Sequence, residues 1–174
     1  MKKLLLSVTL LALAPTSLAA PGVRAPNLAA LNLGEVLCYD AYVLVDNKQD
    51  TGKEKAAETQ IAVALKGLGL RATEFDVADA CDRVLVFDFN LDNVGAPMIY
   101  RAKLTLESLV TTDSDIDPNL ATVWHVEYWG GNRREISTAD VSAQLNKSLT
   151  DALQAFKDDY RSLRPAAASA GPRT

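Results

Sequence analysis

One histidine, two cysteines and two tryptophans in 174 residues leave few side chains for catalysis or metal binding. A structural zinc site would have to combine His125 with Cys38, Cys81 and a carboxylate at spacings that match no zinc motif. No G-x-S-x-G marks an activated serine on a strand-turn-helix elbow. Gly130-Gly131 is followed by neither G-x-G-x-x-G nor G-K-T, so it reads as a turn rather than a phosphate loop. Basic residues are also in deficit, with 18 Lys and Arg against 22 Asp and Glu and a formal charge of -4. The resulting pI near 5.0 argues against nucleic-acid binding by phosphate neutralisation. The longest apolar run, 4–14, is about eleven residues, short of the roughly 18 that span a bilayer as a helix.

That apolar run follows Lys2 and Lys3 and is succeeded by Pro15 and the small residues Ser17, Ala19 and Ala20, the three-part pattern of a secretory signal peptide. Ser17 and Ala19 fit the positions a signal peptidase reads, so residues 1–19 are expected to be removed. No cysteine ends the run, which closes the lipid-attachment route and leaves no direct membrane anchor. The expected location is the periplasm or the exterior, where an even pair of cysteines forms a disulfide, here Cys38 with Cys81.

In the remaining chain, residues 20–34 read as a flexible lead-in whose Leu28, Leu31 and Leu33 dock, 35–163 as a single domain and 164–174 as a disordered tail by composition. VLCYDAYVLV (36–45) places Leu37, Tyr39, Ala41, Val43 and Val45 on one face of a strand. Thr51-Gly52-Lys53-Glu54 matches a capping box, with Thr51 as the cap and Glu54 reaching back to it. The helix that follows repeats Ala57, Ile61, Ala64, Leu65 and Leu68 on one face, leaves Glu54 and Glu58 elsewhere, and stops at Gly69. Residues 70–77 alternate weakly as a short strand. RVLVFDFNLD (83–92) and IYRAKLTLESLV (99–110) are stronger. In the second, Tyr100, Ala102, Leu104 and Leu106 face a core while Arg101, Lys103, Thr105 and Glu107 face water. ATVWHVEYW (121–129) is a strand closed by Gly130-Gly131-Asn132. A long helix, capped by Ser137 or Thr138, carries a stripe from Val141 through Leu145, Leu149, Phe156 and Tyr160 to Leu163. The order predicts an α+β two-layer sandwich: a mostly antiparallel, curved sheet of 4–5 strands with two helices on one face. No internal repeat is present.

The helix ending LKGLGL, the strand CDRVLVFDF, the paired long strands and ATVWHVEYW before a capped final helix resemble, in order, the small periplasmic α+β modules of bacterial envelope systems. Examples are the TolB amino-terminal domain and the LPS-assembly accessory lipoproteins. The resemblance covers residues 35–163, is one of architecture, and departs from many relatives in lacking a lipid-anchor cysteine. It implies a non-catalytic accessory or binding role and transfers no functional residue.

Few constellations offer chemistry. Asp113, Asp115 and Asp117 alternate as a Ca²⁺ loop begins, but Pro118 stands where that loop needs Gly and Trp124 where it needs Glu. Asp88 and Asp92 share a strand face with no sign of a glycosidase cleft, and read as solvated carboxylates opposite Arg101 and Lys103. His125 reads as a packed or surface strand residue. The aromatics are more informative: Trp124, Val126 and Tyr128 share one face, and His125, Glu127 and Trp129 the other. An aromatic therefore points away from the helices whichever face is core, and exposed aromatics anchor contacts. Tyr42, Tyr128 and Trp129 are the candidate interaction residues. The expectation is an exported, non-enzymatic module without cofactor that binds an envelope protein, its oligomeric state open. The alternative is a small-ligand or calcium-binding protein.

Overall fold

A computed structural model of the chain describes residues 27–28, 31, 36–75, 81–92, 98–110, 119–132 and 137–163. The expected signal peptide, the tail and the loop bearing Asp113, Asp115 and Asp117 lie outside them, as does Leu33. The order is β1 (Val36–Val45), β2 (Lys48–Gln49), α1 (Thr51–Gly67), β3 (Arg71–Glu74), β4 (Arg83–Asp92), β5 (Met98–Val110), β6 (Asn119–Asn132) and α2 (Thr138–Ser162). The strands form one six-stranded sheet in the order β2-β1-β4-β5-β6, with β3 also on β1. This is an α+β two-layer fold with two helices on one face of the sheet. Its sheet is mixed, and larger than the 4–5 strands expected. β1 runs parallel to β3 and β4, and β2 is only two residues long.

β1 turns into β2 through Asp46 and Asn47, both at positive φ (50° and 60°). Asx side chains tolerate that left-handed region, and two such residues make the tight turn that fits the twist of a hairpin. α1 follows at once. Its cap is Asp50, whose side chain accepts the Lys53 amide, and not Thr51. Bonds from Lys53 hold the Asp50 carboxyl below its ordinary pKa. Glu54 is drawn away from the helix end: its Oε1 accepts the Val43 amide of β1 at 3.0 Å and its Oε2 accepts the Gln49 side chain. The Val43 amide lies on the outer edge of β1 between β2 and β3, where it has no strand partner, so the carboxylate closes the ladder there. Glu54 is consequently 7% exposed. Glu58 is buried too, with Lys55 at 3.1 Å as its counter-charge. At the other end Gly69 adopts φ 74°, and the amides of Leu70 and Gly69 return to the carbonyls of Leu65 and Lys66. Those two bonds satisfy two of the helix's last carbonyls, and the backbone they require suits glycine.

β5 and β6 form a long antiparallel pair with one irregularity. Leu106 faces Trp124 and Glu107 faces Thr122, so Val123 is an extra residue, a β-bulge. The strand does not close at Gly130-Gly131 as expected; it continues through Asn132. Both glycines serve close approach instead. A Cβ on Gly130 would come within 2.4 Å of the Tyr100 ring, and one on Gly131 within 2.6 Å of the Met98 carbonyl oxygen. α2 starts at Ser137, which forms a capping box with Asp140.

The core lies between the sheet and the helices. From β1 come Leu37, Ala41 and Val43, from β4 Leu85, Phe87, Phe89 and Leu91, from β5 Ala102, Leu104 and Leu106, all buried. α2 brings Phe156, which meets the Trp124 ring edge-on at 5.2 Å, and Asp159, which accepts the Trp124 indole N–H at 2.9 Å. That bond lets the largest side chain be buried without an orphaned donor. Leu28 and Leu31 of the lead-in join this cluster, and the Asn27 side chain donates to the Val123 carbonyl. Cys38 of β1 is bridged to Cys81, 43 residues on, with the Cα atoms 6.0 Å apart. No helix among the described residues is long and apolar enough to cross a membrane.

Candidate functional site: the helix-free face of the sheet

Strand alternation sends the remaining side chains to the other face, and the register arranges them in rows. One row runs Asp40, Val86, Thr105, His125, the next Tyr42, Asp88, Lys103, Glu127, and the third Leu44, Asn90, Arg101, Trp129. Asp92 and Ile99 close the end. Among the described residues no helix covers this face, and the most exposed of its large side chains are Tyr42 (49% exposed), Ile99 (55%) and Trp129 (60%).

Charges alternate across the middle row, the arrangement that stabilises neighbouring strands. Arg101 reaches over from the third row. Its Nη2 donates to Asp88 Oδ2 at 2.8 Å, its Nε is 4.0 Å from Glu127 Oε1, and its guanidinium lies 6.0 Å from the centre of the Trp129 ring. The cation thereby ties β4, β5 and β6 together and fixes the indole at the sheet's edge. Thr105, expected in water, is 4% exposed, because β5 is flanked on both sides and its neighbours in the row are Val86 and His125. The Tyr42 phenol is pushed up to about 12, first by its hydrogen bond to Asp40, then by burial and the charges of Asp40, Glu54 and Glu107.

Among the described residues, two hollows stand out on this face. A shallow depression of about 380 Å³ lies over the Tyr42 row, bounded by Glu54, Asp88, Lys103, Thr105 and Glu107. A notch of about 110 Å³ lies at the end, between Asn90, Asp92, Ile99, Tyr100, Arg101 and Trp129. A third hollow, about 290 Å³, separates α1 from α2 on the far side of the molecule beside the exposed Val63.

Of the candidate interaction residues, Tyr42 and Trp129 share the helix-free face, two strands apart. Tyr128 is on the opposite one, packed against the core near Lys147 and Asp151 of α2, and burial pushes its phenol up. Asp88 and Arg101 pair as the solvated reading had it, but Asp92 Oδ1 is buried without a partner. His125 is half-buried on the open face, with Nδ1 likewise unpartnered. The disulfide takes up the sulfurs of Cys38 and Cys81, the two thiols a zinc site would have used. Among the described residues no group of three or more His, Cys, Asp or Glu is placed to hold a metal ion. Asn90 and Ile99 are not among the candidates the sequence offers, and Arg101 enters there only as a cation opposite Asp88 and Asp92, although the alternation of Asp88, Asn90 and Asp92 on one strand already places three polar side chains together.

No protein-family model and no curated protein matches the chain. Solved structures with a related arrangement include the PelC dodecamer of Paraburkholderia phytofirmans in two crystal forms. Both are 15% identical, with TM-scores of 0.44 and 0.41, and cover 80% and 78% of this chain and 98% and 96% of theirs. A neuraminyllactose-binding hemagglutinin homologue from Helicobacter pylori is 13% identical with a TM-score of 0.43, over 74% of this chain and 83% of its own.

Proposed function

We propose that this chain is an exported, non-enzymatic protein-binding module, an accessory subunit of a bacterial cell-envelope complex, and that it meets its partner with the helix-free face of the sheet. Export is supported by the leader pattern of residues 1–19 and by a disulfide of the kind that persists in oxidising compartments. The observation that carries the docking surface is the trio Tyr42, Ile99 and Trp129, three large side chains held out on a face that no described helix covers. Aromatic side chains on a rigid sheet lose little freedom on binding and anchor interfaces.

A photo-crosslinking residue placed at position 129 tests this in native envelopes, with position 63 on the helix side as the control. An adduct to one envelope protein from position 129 and none from position 63 is expected. Equal labelling from both, or none from either, overturns the docking surface. A second reading, a small-ligand or calcium-binding protein, draws on the 380 Å³ depression, which falls within the range of small-molecule pockets. A calcium-dependent rise in melting temperature would favour that reading, and the docking module is expected to show none.

A further inference from the structure

Two acceptor oxygens at one end of the helix-free face narrow down what a partner must bring. Asn90 Oδ1 and Asp92 Oδ1 are each buried with no hydrogen-bond partner among the described residues, and beside them Arg101 Nε, also without a hydrogen bond, has its charge matched by Glu127 Oε1 at 4.0 Å. All three residues line the 110 Å³ notch whose outer walls are the exposed Ile99 and Trp129. A buried polar atom without a partner is costly, and a charged one more so. The notch is therefore incomplete as it stands.

The sign of the missing group follows from the charges around it. Asp40, Asp88, Asp92, Glu107 and Glu127 stand on this face against Arg101 and Lys103. Arg101, the nearest cation, is already committed to Asp88 at 2.8 Å and is within 4.0 Å of Glu127. An anion entering the notch would meet the excess of carboxylates. A neutral polyol would satisfy the two acceptors yet leave the Asp92 charge uncompensated. A cation with several N–H donors does both, since charge-assisted bonds to a carboxylate are the stronger kind. The volume holds roughly three or four waters at about 30 Å³ each, enough for an ammonium or guanidinium head. The indole of Trp129 and the side chain of Ile99 offer an apolar wall to the methylene stem that such a head trails.

The geometry points to a seat for a lysine or arginine side chain of the partner protein, its head held by Asn90 and Asp92 and its stem laid between Ile99 and Trp129. This rests on the reading of the helix-free face as the docking surface. The partner is then a protein segment in which a basic residue stands beside apolar ones.

The test is titration of the full exported chain with a capped nonapeptide alternating valine and arginine, its valine-glutamate counterpart and maltopentaose, followed calorimetrically at low and at 0.5 M salt. The arginine peptide is expected to bind, to weaken as salt screens the carboxylates, and to lose about fivefold or more in affinity in Asp92→Asn and in Trp129→Ala. The glutamate peptide is expected not to bind. Equal binding of both peptides, an arginine-peptide affinity unchanged in folded Asp92→Asn, or binding of maltopentaose alone overturns the seat. The adduct from position 129 separates the two levels of inference. A cross-linked segment without lysine or arginine removes the seat and leaves the docking surface standing, whereas no adduct removes both.

Discussion

The two faces of the sheet are made from alternate residues of the same strands, and they differ in how completely their polar groups are matched. On the helix side most of the polar atoms that enter are paired: the Trp124 indole finds Asp159, and the Glu54 carboxylate finds Val43 and Gln49, while Glu58 Oε2, buried without a hydrogen bond, still has Lys55 at 3.1 Å as its counter-charge. On the open side Asn90, Asp92 and His125 each keep a buried atom without a partner, and Tyr42, Ile99 and Trp129 remain in water. A face built for stability leaves few such orphans. The proposed docking surface accounts for that difference, because a partner would supply the contacts this face lacks.

The sharpest form of this contrast is a pair of aromatic truncations. Phe156→Ala removes a fully buried ring packed on Trp124, and a loss of about 3–5 kcal/mol is expected in urea unfolding. Trp129→Ala removes a larger side chain that is mostly exposed and is expected to cost within about 0.5 kcal/mol. Equal losses would break the contrast, because they would show that the open face also carries the fold. The disulfide probes the same boundary, since Cys38 belongs to the open face by alternation but is fully buried. In the chain-entropy account a closed loop of 43 residues stabilises by up to about 4 kcal/mol, so Cys38→Ala with Cys81→Ala is expected to lower stability by about 2–4 kcal/mol. The readout is the shift in unfolding midpoint between the double variant and the oxidised protein.

How far the sequence revealed this arrangement depended on whether a signal was local. The alternation of Tyr100, Ala102, Leu104 and Leu106 and the stripe of α2 are local patterns, and they identified both the elements and their buried sides. The α1 cap departs from its local signal: Thr51 and Glu54 fit a capping box by spacing, while the carboxylate is claimed by an amide eleven residues earlier on β1. β3, the sequence Arg-Ala-Thr-Glu, is a poor strand by propensity, and only pairing with β1 makes it one. Gly130 and Gly131 carry the same composition as a turn, and the Tyr100 ring and the Met98 carbonyl that require them lie across the sheet. The site was legible in part. Trp129 and Tyr42 were visible from alternation, but the notch combines β4, β5 and β6, and sequence does not give the register between them.

Glu54 lies where the two faces and the sheet's edge meet, which makes it a useful intermediate case. Glu54→Ala leaves the Val43 amide unpaired at a buried edge, and a loss of about 1–3 kcal/mol is expected. Glu54→Gln keeps an acceptor for that amide and is expected to recover a good part of it. If both variants lose the same amount, the carboxylate acts through its charge rather than by closing the ladder.

The smallest effect belongs to the open face and is read by pH. The Tyr42 phenol, held as a donor to Asp40, is raised from 10.0 to about 12 in the folded chain. A group whose folded pKa exceeds its unfolded value contributes stability that is complete below the unfolded value and disappears as pH rises through the folded one. Stability is therefore expected to decline between pH 10.0 and about 12 by a part that Tyr42→Phe removes. Because solvent screens a half-exposed phenol, that part should stay below about 1 kcal/mol. Asp40→Asn takes away the carboxylate that causes the shift, so its phenol should ionise nearer the ordinary value in a titration of tyrosinate absorbance. If it still ionises near the raised value, burial rather than Asp40 holds the proton, and Tyr42 belongs with the packed side of the sheet more than its exposure implies.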